Sequence, residues 1–260
     1  STLLASSAAS DVYKRQDLKS ERYLRPDQQI YNDLQIQDKQ VSMLAKYVYD
    51  NTGCPVYRNT DVSYFNCGEE KYRALIEELE EAQDFIFMEY FIIEQGRVWN
   101  SILRVLEKKV QQGVEVRIMY DGLCSLTKLP IGYFKKLRRK GIKAKPFAPA
   151  RPFFTTEQNN RDHRKILVID GRVAFTGGIN LADEYMNVVN KFGYWKDTAV
   201  MLKGDAVKSF TLMFLQMWNV SEKTIGNFDR YLNVDIPKIY YKNGYVIGYG
   251  DEPVGKERIG

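Results

Sequence analysis

Helical patterns alternate with apolar runs between residues 69 and 120, and this alternation constrains the fold more than any other feature of the chain. Apolar residues recur at helical spacing over residues 69–82 and again over residues 98–112. Each helical segment precedes an apolar run, at residues 85–93 and 114–120, typical of a strand buried on both faces. This order predicts an α/β fold with a mixed, mostly parallel sheet flanked by helices on both faces.

Two carboxylates lie in or at the end of those apolar runs. Glu89 is within the first, and Asp121 directly follows the second. A carboxylate in such a place needs hydrogen-bond donors or loses its charge, so it can be a structural acceptor. It can also support a catalytic group, because the strand ends of α/β sheets are where functional sites lie. Both interpretations stay open for both residues.

The segment at residues 163–178 reads HRKILVIDGRVAFTGG and contains the only histidine of the chain. Its apolar, β-branched centre predicts a strand, on which His163 and Lys165, two residues apart, face the same side. An imidazole can act as a nucleophile and a lysine can hold phosphate oxygens, so the pair predicts phosphodiester chemistry. Asp170 ends the strand, and we interpret it mainly as an organiser of the following turn.

A second strand is predicted at residues 173–176, followed by two glycines and an asparagine. Gly177 and Gly178 allow the backbone to approach a bound anion where a side chain would block it. Asn180 can donate to a phosphate oxygen, and it can also cap a helix expected to begin near Leu181. Together these residues predict a phosphate-binding turn.

A cluster of basic residues precedes the histidine segment. Aromatic and proline residues lie between this cluster and the histidine segment. The basic residues are Lys135, Lys136, Arg138, Arg139, Lys140, Lys143 and Lys145, and the others are Phe147, Pro149, Pro152, Phe153 and Phe154. Basic residues near a helix end are often merely solvated. Beside exposed aromatics they also suit an anionic lipid surface or single-stranded bases. The net charge of +5 fits either anionic partner without choosing between them.

Cysteine use and hydropathy limit the cellular context. Cys54, Cys67 and Cys124 are odd in number and widely spaced, which supports neither a disulfide framework nor a zinc site and favours a reducing, cytoplasmic side. No apolar run approaches the roughly 18 residues of a membrane-spanning helix. Residues 1–16 lack the apolar core of a signal peptide and resemble translated adapter sequence, so they are excluded from the fold.

The motif His-x-Lys, four residues, Asp, six residues and Gly-Gly, with Asn180 downstream, resembles the HKD motif of the phospholipase D superfamily. The resemblance extends to the segments EYFIIEQGRVWNSIL, VRIMYDG, NNRDHRKI, GGINLADEY, WKDTAV and FTLMFLQMWN. Together they are similar to the first catalytic half of bacterial cardiolipin synthases, over about residues 41–220.

The resemblance implies a two-step transfer at phosphorus that needs no metal and no organic cofactor. His163 would be the nucleophile, and Lys165 and Asn180 would neutralise the phosphate oxygens; Asp170 belongs to the same catalytic motif. Asp197 would hydrogen-bond the second ring nitrogen of His163, the alternative being an ordinary surface salt bridge. In these synthases one phosphatidylglycerol is transferred to a second one, releasing glycerol.

The same resemblance implies a domain organisation and a location. Residues 1–20 are a non-native or disordered extension, 21–66 a helical connector, 67–220 the phospholipase D-like half, and 221–260 a linker and the start of a second half. The expected location is the cytoplasmic side of the bacterial cell membrane, with any anchoring segments outside this chain. Phosphatidylglycerol and the membrane surface are the expected partners, and nucleic acid is less favoured.

Full-length family members carry two HKD motifs, whereas this chain has one histidine. Either a symmetric dimer supplies the second histidine, or it lies in a second half beyond Gly260. Residues 244–250 resemble the opening of that second half, which favours a fragment. Two other hypotheses remain: a dimeric, single-motif nuclease whose basic cluster binds the nucleic-acid backbone, and an inactive module that binds anionic lipid.

Overall fold

The computed structural model describes residues 22–123, 127–147, 162–191, 193–220, 228–238 and 244–250. The helices are α1 Gln28–Gln37, α2 Lys39–Thr52, α3 Gly68–Glu81, α4 Arg97–Gln111, α5 Tyr133–Arg139, α6 Val207–Val220 and α7 Asp229–Leu232, with a 3-10 helix at Asp183–Met186. The strands are β1 Thr60–Phe65, β2 Phe85–Tyr90, β3 Glu115–Asp121, β4 Lys143–Phe147, β5 Lys165–Ile169, β6 Val173–Gly177 and β7 Ala199–Gly204.

The elements predicted around residues 69–120 are confirmed as α3, β2, α4 and β3, each within a few residues of its expected bounds. The apolar faces of α3 and α4 are buried in one cluster with the alternate residues of the strands, for example Leu75, Trp99 and Met88. Gly113, with a φ of 91°, follows α4 in a conformation that glycine adopts without strain.

The described strands form one seven-stranded sheet in the order β1-β7-β6-β5-β2-β3-β4. Strands β2, β3 and β4 are parallel, whereas β5 is antiparallel to both β2 and β6. The predicted α/β fold with a mixed sheet is therefore confirmed. The antiparallel register pairs Tyr90, the last residue of β2, with Lys165, the first residue of β5. The residues just before β5, including His163, consequently lie at the edge where the parallel strands end.

The chain divides into two compact units, residues 62–201 and residues 1–61 with 202–260. The first unit contains the large apolar cluster and the whole histidine segment. In the second unit, Leu34, Ala45 and Val56 form a small cluster, and Tyr57 pairs with Val246 in an isolated bridge. The domain boundaries at residues 20, 66 and 220 stay a prediction.

The basic cluster is partly engaged within the fold. Lys140 pairs with Glu107 and Lys143 with Glu115, each at 2.6 Å, and Arg138 donates to the carbonyl of Ala144 at 2.8 Å. These contacts give three of the basic residues a structural partner. The proline and aromatic residues from Pro149 to Phe154 are outside the described residues, as are residues 1–16 and Cys124.

Cys54 and Cys67 are buried, and neither forms a disulfide bond within the described residues. Across the described ranges, no helix is both long and apolar enough to cross a bilayer.

Candidate active site at the end of strands β2 and β5

The imidazole of His163 lies at the sheet edge where β2 ends and β5 begins. The residue is exposed, and its ring packs against Phe91, with ring centroids 4.5 Å apart. The ammonium of Lys165 lies 3.3 Å from each ring nitrogen of His163 and donates to its backbone carbonyl at 2.7 Å. The side chains of His163 and Lys165 are therefore in contact, as predicted from their spacing.

The surroundings of His163 favour its neutral form. Partial burial lowers the pKa of the imidazole below its ordinary 6.5, and the charge of Lys165 lowers it further, against an opposing effect of Asp162. At neutral pH the ring therefore keeps a free lone pair. Lys165 itself is only 4% exposed. A nucleophile and a partly desolvated cation are side by side, which suits attack on a phosphate ester.

The two glycines pack against the segment that carries Asp197. A Cβ at Gly178 would overlap the Asp197 carboxylate, and a Cβ at Gly177 would overlap the carbonyl of Thr198. The amide of Gly178 donates to that carbonyl at 3.0 Å. Close packing therefore explains the need for glycine at both positions, and direct contact of Gly177 and Gly178 with a phosphate stays a prediction.

The Asp197 carboxylate accepts a hydrogen bond from the amide of Thr198 at 2.7 Å. Within the described residues no hydrogen bond joins Asp197 to His163, and Asp162 is the carboxylate that acts on the His163 pKa. An orienting role for Asp197 stays a prediction.

Asn180 joins the turn after β6 to the segment after β2. Its side-chain oxygen accepts from the amide of Ile92 at 3.0 Å, and the residue is 3% exposed. The prediction of a helix that begins near Leu181 is wrong, because Leu181 forms an isolated β-bridge with Ile93. The 3-10 helix that follows spans four residues and has no side-chain cap. Asn180 therefore caps no helix, and its contact with phosphate stays a prediction.

Asp170 lies at the opposite end of β5 from His163. Its carboxylate accepts from the amides of Gln83, Asp84 and Phe85 at 2.7–2.8 Å. Seven residues of extended chain separate the two side chains by about 20 Å, so a substrate phosphate at His163 is out of reach of Asp170. These contacts fit the interpretation as a turn organiser that also fixes the start of β2.

Glu89 supports the chain on either side of His163. Arg164 lies 2.7 Å from the Glu89 carboxylate and 3.2 Å from that of Asp162. Glu89 is fully buried, and burial raises its pKa well above the ordinary value despite the opposing charge of Arg164. Because Asp162 and Arg164 flank His163 in sequence, this buried group anchors the nucleophile's backbone to β2. A role of Glu89 in catalysis stays a prediction.

Asp121 is buried at the end of β3, where its carboxylate accepts from the amide of Leu123 at 3.0 Å. Strand alternation and register put it on the same face of the sheet as Glu89, opposite Lys165. Its contact is that of a structural acceptor at a strand end.

A family model described as "Cardiolipin synthase, PLD-like domain" matches residues 75–218 of the chain. The chain belongs to this family. The match includes the strands and turns that carry His163, Lys165, Asn180 and Asp197.

Curated relatives agree with membership of the cardiolipin synthase, PLD-like family. An uncharacterized protein of Streptococcus mutans is 52% identical over 238 residues, which cover 92% of this chain and 51% of that protein. A cardiolipin synthase of Geobacillus thermodenitrificans is 42% identical, over 63% of this chain and 33% of its own length. A cardiolipin synthase of Staphylococcus aureus is 37% identical, over 82% and 42%. The chain spans about half, or less, of the length of these relatives.

One residue of this PLD-like site was missed by sequence reasoning. Lys71, in the first turn of α3, is 1% exposed and donates to the carbonyl of Ile179 at 2.8 Å. A signal was available, because Lys71, Leu75 and Leu79 are four residues apart and all buried. A lysine in the apolar stripe of a helix indicates a buried polar partner.

Proposed function

We propose that this chain carries one half of a phosphatidyltransferase site that condenses two phosphatidylglycerols into cardiolipin and glycerol. The observation that supports it is the contact between His163 and the buried ammonium of Lys165 at a strand edge, in a member of the cardiolipin synthase family. Cardiolipin synthesis is the activity in the names of its relatives from Geobacillus and Staphylococcus.

In the first step, a ring nitrogen of His163 attacks the phosphorus of one phosphatidylglycerol. A nitrogen–phosphorus bond forms, the bond from phosphorus to the glycerol oxygen breaks, and a second histidine protonates the departing glycerol. Lys165 offsets the charge that grows on the phosphate oxygens, and Asn180 adds a donor.

In the second step, a glycerol hydroxyl of another phosphatidylglycerol attacks the phosphohistidine. The second histidine, now neutral, removes the hydroxyl proton, and the nitrogen–phosphorus bond breaks to release cardiolipin and restore His163. Neither step uses a metal or an organic cofactor. Asp197 would orient the imidazole during both steps.

The second histidine comes from outside this sequence, because His163 is its only histidine. A second HKD half in a longer chain supplies it in this proposal, and the length of the relatives supports that source. A second copy of this chain is the other source. Since both substrates are membrane lipids, the site works at the cytoplasmic surface of the bacterial membrane, where a net charge of +5 favours anionic headgroups.

Cardiolipin formation from phosphatidylglycerol and cleavage of DNA are assayed side by side to test the proposal. The proteins are this chain, a form extended by a second HKD half, and His163→Ala versions of both. We expect cardiolipin only from the extended form with His163 intact.

Three other results would contradict the proposal. DNA cleavage that depends on His163, without lipid transfer, would favour the dimeric nuclease. Lipid binding without turnover in the extended form would favour a binding module. Full transfer by a strictly monomeric 260-residue chain would exclude the two-histidine mechanism.

A further inference from the structure

Lys71 is a buried lysine that contacts the turn of the candidate phosphate site. Burying a lysine is costly unless its charge is compensated. Its polar partner is the neutral carbonyl of Ile179, and none of the ion pairs among the described residues includes it. The position therefore calls for a compensating anion or for loss of the proton.

The contact with Ile179 ties α3 to the turn of the HKD segment. Ile179 lies between Gly178 and Asn180, so its carbonyl belongs to the turn proposed to face the phosphate. The first turn of α3 packs against the 3-10 helix that follows this turn, since a Cβ at Gly68 would overlap the backbone carbonyl of Tyr185. Lys71 thus reaches the turn from a fixed helix start.

Tyr90 is next to both lysines of the site, Lys71 through its ring and Lys165 through strand pairing. The Lys71 ammonium lies 5.1 Å from the centre of the Tyr90 ring, and Tyr90 pairs with Lys165 across β2 and β5. The Tyr90 hydroxyl is buried and has no hydrogen-bond partner among the described residues. Burial raises the pKa of Tyr90, so this hydroxyl remains a protonated, unused donor.

The charged groups that act on Lys71 come from two other elements. Burial and the charge of Lys165 on β5 lower the pKa of Lys71 to about 7, while Asp197, before β7, opposes them. The acidic residues of the adjacent 3-10 helix have other partners: Asp183 accepts from the amides that start α4, and Glu184 pairs with Lys128. Lys165 and Asp197 are therefore the charges that decide the protonation of Lys71.

We propose that Lys71 is a positioning residue of the phosphate site, which takes up a proton when a phosphodiester anion binds beside Lys165 and then holds the turn of Gly178 and Asn180 as a full cation. This inference rests on the proposed function, because it requires the anion to bind there. Near pH 7 the free site has Lys71 only partly charged. An added negative charge stabilises the ammonium, so binding and protonation favour each other.

The direction of the pH dependence follows from this coupling. Below pH 7 Lys71 is already charged, and anion affinity is independent of its titration. Above pH 7 the free protein loses this proton while the complex retains it, so affinity falls as pH rises.

The test measures proton uptake by calorimetry at pH 7.5, in buffers of different ionisation enthalpy, with glycerophosphoglycerol as a water-soluble phosphodiester. A lysine with a pKa of about 7 is roughly one quarter charged at this pH, so we expect uptake of up to about three quarters of a proton. His163→Gln is titrated in parallel to remove any contribution of the imidazole, and the uptake is expected to persist.

Substitutions at Lys71 separate charge from packing. Lys71→Arg keeps a permanent cation, so we expect binding to persist without proton uptake. Lys71→Met should weaken binding at least about fivefold and abolish uptake, since one adjacent charge is lost. The matched control is Lys109→Met, which removes another buried lysine that donates to a backbone carbonyl, that of Ala82 at 3.0 Å. It should leave uptake unchanged.

Proton uptake equal to that of the wild type in Lys71→Arg would overturn the inference while leaving the proposed function intact. This comparison holds even if Lys71→Met fails to fold. If glycerophosphoglycerol bound neither to the wild type nor to Lys165→Met, both the proposed function and the inference would be overturned.

Discussion

At the scale of single residues, His163 is the group through which acidity should control this site. Its imidazole is reactive only when neutral, and both partial burial and the neighbouring Lys165 favour that state. The same lysine that would hold the phosphate therefore also keeps the nucleophile unprotonated. In this proposal Lys165 therefore acts on the imidazole before substrate binds and on the phosphate afterwards.

The pKa of His163 should rise when Lys165 is replaced by Met, because one of the two causes that lower it disappears. In the wild type we expect the midpoint below 6.5, and phosphoryl transfer should decline as pH falls through it. The chain has a single histidine, so isotope-labelled imidazole gives one set of NMR signals to titrate. Lys46→Met, which removes an exposed lysine paired with Asp50, is the control and should not move the midpoint. An unchanged or lower midpoint in Lys165→Met would contradict the electrostatic account.

Sequence reasoning located His163, Lys165 and their shared side correctly, because strand alternation depends on local spacing alone. It could not foresee that Arg164 pairs with Glu89 as well as with Asp162, since the contact with Glu89 depends on the antiparallel register of β5 against β2. If β5 were parallel to β2, Arg164 would lie at the opposite end of β2 from Glu89.

At the scale of elements, the site depends on how β5 is held at its two ends. At the first end, Arg164 bridges Asp162 and the buried Glu89 of β2. At the other end, Asp170 adopts a φ of 52°. Its carboxylate accepts hydrogen bonds from three backbone amides that precede or begin β2. Both contacts fix β5 against β2, so the role of Asp170 that these contacts support is strand alignment.

Asp170→Ala should lower the free energy of unfolding by about 3 kcal/mol, because three backbone amides lose a charged acceptor. Asp170→Asn keeps one acceptor oxygen and tolerates a positive φ, so it should lose about half as much. Denaturant unfolding measures both, and Asp50→Ala, at an exposed ion pair, is the control, with a loss below about 0.5 kcal/mol. The His163 midpoint should stay the same. Loss of phosphoryl transfer in Asp170→Asn at unchanged stability would instead indicate a direct role in the reaction.

The helix predicted near Leu181 shows where local patterns fail. The residues after Asn180 have helical character. However, the Asp183 carboxylate accepts hydrogen bonds from the amides of Arg97 and Val98 at the start of α4. Asn187 then adopts a φ of 53°, which ends the 3-10 helix after one turn. The first cause is a tertiary contact and the second is a backbone conformation. The spacing of apolar residues along the chain carries no information about either.

At the scale of the whole molecule, the residues assigned to the site lie in one compact unit, residues 62–201. In the proposed mechanism this unit offers a nucleophile, a lysine at the phosphate and a second lysine near it. The proposed mechanism further requires an acid for the departing alcohol, and no other histidine is present in the sequence. The unit should therefore form a phosphohistidine only when the leaving group needs no proton.

A phosphodiester with a nitrophenyl leaving group meets that condition, because nitrophenolate departs as a stable anion. With this reagent the 260-residue chain should release at most one nitrophenolate per chain in a burst, and the phosphoryl adduct should map to His163 by mass spectrometry. The rate per chain should not depend on protein concentration, since one chain suffices for this half-reaction. His163→Gln should show no burst, and a diester of glycerol should give none with either protein. A burst rate that rises with protein concentration would show that a second copy completes the site, and turnover beyond one equivalent per monomer would contradict the need for a second histidine.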